Sequence, residues 1–438
     1  MSITIKNRTA PILIVTTAIF SVLVSAVSII GNNFDWGYGF LLLALFSFFL
    51  AAGASKRPMI SNEISIAYIA RLAMFLLCTL QNDGDADGYA AYAVKYAAMP
   101  IETVFLNFPT GAYLYSWVIS FLFRLLGGYY TPVRAMNMAI SVCCVYVTTD
   151  IANELYNDSI VTKKCALWMA LFPNLIRFSS YFANREPLLM IFTLLYLKHS
   201  YKYYKNSNIK NLILSIFFLV PAMILHTSML AMMALTGFII LSRNNQSTSR
   251  ASNIIGKALL MVLMAGTFVF MLANGIGTEK FSVGGGVELS VSGVSKIGNM
   301  SASGRAAYLK GVNFSNPIMT ILFLPVRMLY FMYTPFPWML RAVVDLVGLF
   351  DAVLYIYFSV QIYKKTRKIL RDPNKDSNVK FVLLLFWVLL IIIAMFAAVT
   401  SNYGTAIRHR CKLFPIMLLI VGDTLEKQHS RKSGYHEN

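Results

Sequence analysis

Charge is scarce in this 438-residue chain. Only 13% of its residues are Asp, Glu, Lys or Arg, whereas soluble globular proteins carry about 25%. Hydrophobic residues make up 57%, and mean hydropathy is +0.62. An ordinary soluble enzyme is excluded, because hiding so much apolar surface needs several stacked domains and the polar punctuation between apolar runs is too thin to separate them. Cysteine is also sparse. Cys78, Cys143, Cys144, Cys165 and Cys411 are odd in number and lack metal-ligand spacing, which argues against a disulfide framework and for small buried hydrophobes. No Walker A loop, no GxGxxG after a strand, no zinc spacing and no soluble nucleotide-binding domain is present. Direct use of ATP, or of a nucleotide-sugar in a soluble domain, is therefore not expected. Acidic residues are half as frequent as basic ones, 19 against 38, giving +19. The excess does not point to nucleic acid, since Lys and Arg cluster in short segments between apolar runs, where the positive-inside rule places them.

Long apolar stretches recur from residue 10 to residue 425. They predict an all-α, polytopic membrane helix bundle of about 11 to 13 segments. The first run follows Lys6 and Arg8 without a convincing cleavage site and reads as a retained span. A second, at 38–53, ends in Lys56-Arg57-Pro58, and a third occupies 64–80. Residues 1–63 thus read as an N-terminal transmembrane hairpin, 64–426 as the main transmembrane domain and 427–438 as a cytoplasmic tail. Residues 364–380 carry seven Lys or Arg against two Asp and are expected in the cytoplasm, as are 198–210 and 243–257. Outer loops are then expected at about 81–110, 274–338 and 401–410. Walking in from the two ends gives topologies that differ by one crossing between residues 111 and 200, so a segment there is re-entrant, interfacial or miscounted.

The outer loops hold the candidate chemistry. Asp83-Gly84-Asp85-Ala86-Asp87 places three carboxylates within five residues. Such a cluster is either a solvated turn or a site for a general base or a divalent cation, Mg or Mn, held by Asp85 and Asp87. Tyr89, Tyr92 and Tyr96 follow at i, i+3, i+7 on one helix face, and residues 317–338 are dense in aromatics. Both stretches read as headgroup anchors or as the lining of a groove for a lipid carrier. Asn184-Arg185-Glu186-Pro187 interrupts two apolar runs, so Arg185 and Glu186 either cap helices or face a phosphate. His226-Thr227-Ser228 marks the turn of a helical hairpin, with His226 a structural donor or a proton-transfer and phosphate-binding group. Arg408-His409-Arg410 stands on the outer side against the positive-inside trend, which an anionic ligand such as a diphosphate explains better than a plain surface or lipid-headgroup contact. Arg305 and Tyr308 form a weaker site of the same kind. Asp345, four residues after Arg341, is expected to pair with it along a helix, and Asp351 lies deeper in the same span.

Several of these stretches resemble polytopic glycosyltransferases of the GT-C class and the related polymerases of bacterial surface polysaccharides. They are the acidic loop through Tyr89, Phe108-Pro109-Thr110-Gly111-Ala112-Tyr113, Arg134 with Asn137, Leu171-Phe172-Pro173, the Arg185-Glu186 pair, the His226 turn, Pro335-Phe336-Pro337-Trp338 and 402–410. The resemblance implies a multi-pass protein of the bacterial inner membrane acting at its outer face on an undecaprenyl-linked glycan, within the lipid bilayer and without nucleic acid. A chain-length regulator or a flippase would be its partners. Asp85 or Asp87 would be the base, and Arg185, Arg408 and Arg410 would stabilise the departing phosphate. A repeat-unit (O-antigen or exopolysaccharide) polymerase is favoured over a single-sugar transferase using a polyprenyl-phosphate donor. A transporter of lipid-linked glycan stands third, because the spans hold few charges and the polar groups gather at one face.

Overall fold

The computed structural model describes residues 9–77, 84–109, 111, 113–242, 282–283, 286–287, 304–310, 322–372 and 376–425. Asp83, Cys78, most of the 274–316 stretch and the 427–438 tail lie outside the described residues. The described chain is helical apart from a two-residue ladder pairing Ser282–Val283 with Gly286–Val287 and one isolated bridge, Ala307 to Asn402. It divides into two compact units, one formed by Met1–Leu195 and Gly422–Asn438, the other by Tyr196–Val421.

The first unit contains α1 (Thr9–Ile30), α2 (Phe34–Ser55), α3 (Ser61–Leu77), α4 (Gly84–Ala98), α5 (Ile101–Leu106), α6 (Tyr113–Leu126), α7 (Tyr130–Tyr156), α8 (Ser159–Leu171), α9 (Pro173–Ser180) and the start of α10 (Glu186–Asn206). Its centre is α7, enclosed by α2, α3, α8 and α9. Gly39 permits the close approach of α2, since a Cβ there would lie 2.2 Å from Thr131 Cγ2. The same contact is fixed by the Thr131 N–H and hydroxyl, which donate to Asp35 at 2.9 and 2.6 Å. Local sequence sets the breaks. Asn157, at φ 50°, closes α7, and Asp158 caps α8 by accepting from the Ile160 and Val161 N–H groups. Pro173 then keeps Phe172 out of the helical region, which ends α8 and opens α9.

The second unit holds the rest of α10, then α11 (Ile209–Leu225), a 3-10 turn (Thr227–Ala231), α12 (Met232–Ser242), α13 (Leu324–Tyr333), α14 (Val344–Arg371), α15 (Ser377–Val399), α16 (Tyr403–Arg410) and α17 (Phe414–Val421). Every residue of α17 is buried, against α14 and α15 among others.

Six described stretches are long and apolar enough to cross a bilayer: Thr9–Ile30, Phe34–Ser55, Pro58–Leu77, Tyr130–Tyr156, Asp345–Arg371 and Ser377–Val399. Four shorter apolar helices accompany them among the described residues. The apolar run at 253–273, part of the expected count, lies outside the described residues. Helices α6, α8 and α9, of 14, 13 and 8 residues, occupy the stretch where the topology walks disagree. At 1.5 Å per residue the longest reaches only about 21 Å, short of a hydrocarbon core of roughly 30 Å.

Short helices ending inside protein expose carbonyls that must find donors. Two buried arginines provide them in the first unit. Arg71 donates to the Met169 and Ala170 carbonyls at the end of α8, both at 3.0 Å, to Ala67 O at 3.1 Å and to Ser141 Oγ at 2.7 Å. Arg134 donates to Ser180 O, closing α9, and to Phe75 O, near the end of α3. A guanidinium with five donors at a helix C-terminus also meets the negative end of the helix dipole.

Candidate functional site

In the first unit, α4 begins where the acidic cluster was expected to form a loop. Asp85 and Asp87 occupy its first turn, where carboxylates complement the positive end of the helix. Both are exposed, and Tyr130 Oη donates to Asp87 at 3.5 Å. Residues two apart on a helix do not face each other, so this pair does not converge on one cation. Among the described residues no group of three His, Cys, Asp or Glu side chains is placed to hold a metal. The Asp83 contribution lies outside them. The divalent cation expected at Asp85 and Asp87 therefore lacks a described donor set.

Beside α4, a buried polar chain gathers three of the expected residues. Tyr89 packs edge-on against Tyr115, with ring centres 5.4 Å apart, and the Arg185 guanidinium lies 5.7 Å from the Tyr89 ring. Asn137 Nδ2 donates to Tyr115 Oη at 3.0 Å and to the Asn184 carbonyl at 2.7 Å. Arg185 and Glu186 are both buried, at 5% and 1% exposure, where the chain enters α10. Thus Tyr89 of α4 and the 184–187 interruption meet, with Tyr115 and Asn137 as the links between them.

In the second unit, α16 carries Arg408, His409 and Arg410 in its last turn. Asn402 caps its start by accepting from the Gly404 and Thr405 N–H groups at 2.8 and 3.4 Å. Residues 304–310 dock there. Tyr308 N–H donates to Ser401 O, Tyr403 N–H to Ala306 O, and Tyr308 Oη to Thr400 O, each at 2.8–2.9 Å. Arg305 and Tyr308 are thereby brought to the helix that bears the cationic triplet. Burial holds the Tyr308 phenol well above its usual range, so it stays a neutral donor.

The three cationic residues have different fates. Arg410 is fully buried. Its Nη2 lies 2.7 Å from Asp351 Oδ2, its Nε donates to the same oxygen at 2.8 Å, and its Nη1 donates to the Met332 and Thr334 carbonyls at the end of α13 at 3.0 and 2.7 Å. Tyr355 Oη donates to the Arg410 carbonyl. This guanidinium is engaged inside the protein, so it does not face a ligand as the sequence suggested. Arg408 is half-buried and His409 is buried. Nor does Asp345 pair with the Arg341 side chain. Its Oδ2 accepts the Arg341 and Ala342 N–H groups at 2.9 Å, and its ion-pair partner is Arg305, at 2.6 Å.

His409 leads to a residue that sequence reasoning passed over. Lys412 Nζ lies 3.0 Å from His409 Nδ1, and both side chains are buried. His226 Nδ1 accepts the Ser228 N–H at 3.3 Å, which leaves its Nε2 to carry the proton. The two imidazoles meet edge to face, 4.8 Å apart, and each lies 4.9 Å from the Phe396 ring. Lys412 Nζ is 5.8 Å from that ring. A Lys three residues after a His was the available signal for this contact, hidden because it follows the end of the motif.

Around α16 the described cations include Arg305, Arg327, Arg341, Arg408, Arg410 and Lys412, and the described carboxylates include Asp345 and Asp351. Each carboxylate already accepts from a guanidinium. Arg327 donates to Ala397 O and to Ser401 Oγ, at 2.9 and 3.1 Å. Arg408, His409 and Lys412 follow one another at the end of α16, and His226 packs against His409. Such a cluster of donors suits anionic oxygens. Scanned against protein-family models, curated proteins and solved structures, the chain matches none of them.

Proposed function

We propose that this chain is an inner-membrane glycosyltransferase of bacterial surface-polysaccharide assembly, with a GT-C-like arrangement of helices. In this reading it polymerises undecaprenyl-diphosphate-linked repeat units at the periplasmic face. The observation that carries the reading is the donor array at the end of α16, where Lys412 meets His409 and the imidazoles of His226 and His409 pack together. An acceptor hydroxyl attacks the anomeric carbon, the carbon–oxygen bond to the lipid diphosphate breaks, the electron pair leaves on the phosphate oxygen, and the hydroxyl proton passes to the departing diphosphate. Donors fixed in advance at that oxygen lower the barrier. His226 here serves as a hydrogen-bond donor, because its Nδ1 already accepts from the backbone.

A single-sugar transferase using a polyprenyl-phosphate donor is the second reading, favoured by the exposed carboxylates Asp85 and Asp87 beside the tyrosine face of α4. One of them would take the acceptor's proton. Both readings are tested by displaying surface polysaccharide on a gel from a deletion strain carrying the wild-type, Lys412→Met or Asp87→Asn gene. Collapse of the ladder to one repeat unit in the deletion and in Lys412→Met supports the polymerase. A full ladder in the deletion, each rung lighter by one sugar, supports the single-sugar transferase. Glycan stranded on lipid inside the cell points to transport, and an unchanged pattern overturns all three.

A further inference from the structure

Within the second unit, α13, α14, α15 and α17 enclose a groove of about 630 Å³. Its walls include Leu329 and Met332 on α13, Ile362 and Leu370 on α14, and Trp387 and Leu390 on α15. The volume falls in the range of ligand pockets, roughly 300–1,000 Å³. Along α14 the lining runs from Ser359 to Arg371, about 18 Å at 1.5 Å per residue. That length is close to one leaflet of a roughly 30 Å hydrocarbon core.

The groove is polarised. At its far end along α14 the lining becomes Arg367 and Arg371, both exposed, and neither has a hydrogen bond or ion pair with another described residue. These arginines open the 364–380 run, with its seven Lys or Arg against two Asp. A hydrocarbon slot of leaflet length ending in two unengaged guanidinium groups has the charge and shape of one kind of occupant. We propose that it binds an anionic glycerophospholipid of the cytoplasmic leaflet, with an acyl chain along α14 and the phosphate between Arg367 and Arg371. Guanidinium forks suit phosphate oxygens, and basic positions at this depth attract anionic headgroups by about 1 kcal/mol each. The site is separate from the α16 donor array and does not depend on the transferase reading.

Trp387 reports on the groove directly. Full-length protein is reconstituted with increasing fractions of chain-brominated phosphatidylglycerol or chain-brominated phosphatidylcholine, and quenching is compared with that of Trp387→Phe to isolate this one of five tryptophans. The Trp387 component is expected to be quenched by the anionic lipid at a roughly thirtyfold lower mole fraction, consistent with two cationic contacts. Arg367→Ala/Arg371→Ala should abolish that preference while quenching by the chains persists, which also shows that the variant keeps its groove. Equal quenching by the two lipids overturns the proposal. So does a preference that survives the double substitution, or a Trp387 that neither lipid reaches.

Discussion

Both units solve the same problem with arginine, yet they leave different chemistry behind. In the first unit, Arg71 and Arg134 are held by carbonyls and a serine hydroxyl. Each guanidinium joins elements distant in sequence by closing the ends of broken helices. In the second, Arg327 closes α15 in the same manner, whereas Arg410 caps the end of α13 and also pairs with Asp351. An added carboxylate fixes Arg410 in place, so α16 can present its neighbours, Arg408 and His409, in a constant frame. The first unit thus closes helix ends with arginine and carbonyls, and the second adds a buried carboxylate to one such arginine.

The contrast can be broken most severely at Asp351. Asp351→Ala strands a fully buried guanidinium, and the expected loss is about 3–5 kcal/mol, read as a large drop in thermal unfolding temperature in detergent. A companion Arg410→Met, which removes the stranded charge, should recover part of it. Arg71→Met removes donors and charge together, so its cost should be smaller, about 2 kcal/mol in the same measurement. If Arg71→Met proves as damaging as Asp351→Ala, the distinction between carbonyl-held and carboxylate-held arginines fails. Lys412→Met should shift stability by under about 1 kcal/mol while reducing chain polymerisation on the gel at least tenfold. Equal losses in folding and polymerisation would make Lys412 a structural contact. Asp87→Asn should leave unfolding unchanged and lower polymerisation less than about threefold. A hundredfold loss would move the chemistry to α4 and favour the single-sugar reading.

Much of the architecture was legible in the chain, because it follows from local rules. Apolar length marked the spans and the 184–187 interruption marked a break, whereas of the i, i+3, i+7 tyrosines read as one interfacial face only Tyr89 is buried and Tyr92 is exposed. The site was legible only in pieces. Arg305 and Asp345 are forty residues apart and Asp351 and Arg410 fifty-nine, so spacing along a helix suggested Arg341 for Asp345 and no partner for Arg410. Cation clusters read as ligand sites when the acceptors that satisfy them are backbone carbonyls, since no sequence motif records a helix end brought in from elsewhere. The acidic stretch was expected as a loop for a similar reason. Three carboxylates suggest a turn or a cation until the helix that starts among them supplies a positive end for Asp85 and Asp87.

The arginine caps also impose an order in time. Arg71 is made about a hundred residues before the Met169 and Ala170 carbonyls that receive it. At roughly 5–20 residues per second it must wait several seconds or more for them, carrying a charge whose placement at a bilayer centre costs about 2.5–3.5 kcal/mol. Arg410 arrives last, after Phe331, Met332, Thr334 and Asp351 have been synthesised. Biogenesis of the first unit therefore includes an interval in which α3 depends on water, lipid headgroups or an insertion factor, whereas the chain that brings Arg410 enters a setting whose acceptors have already been made.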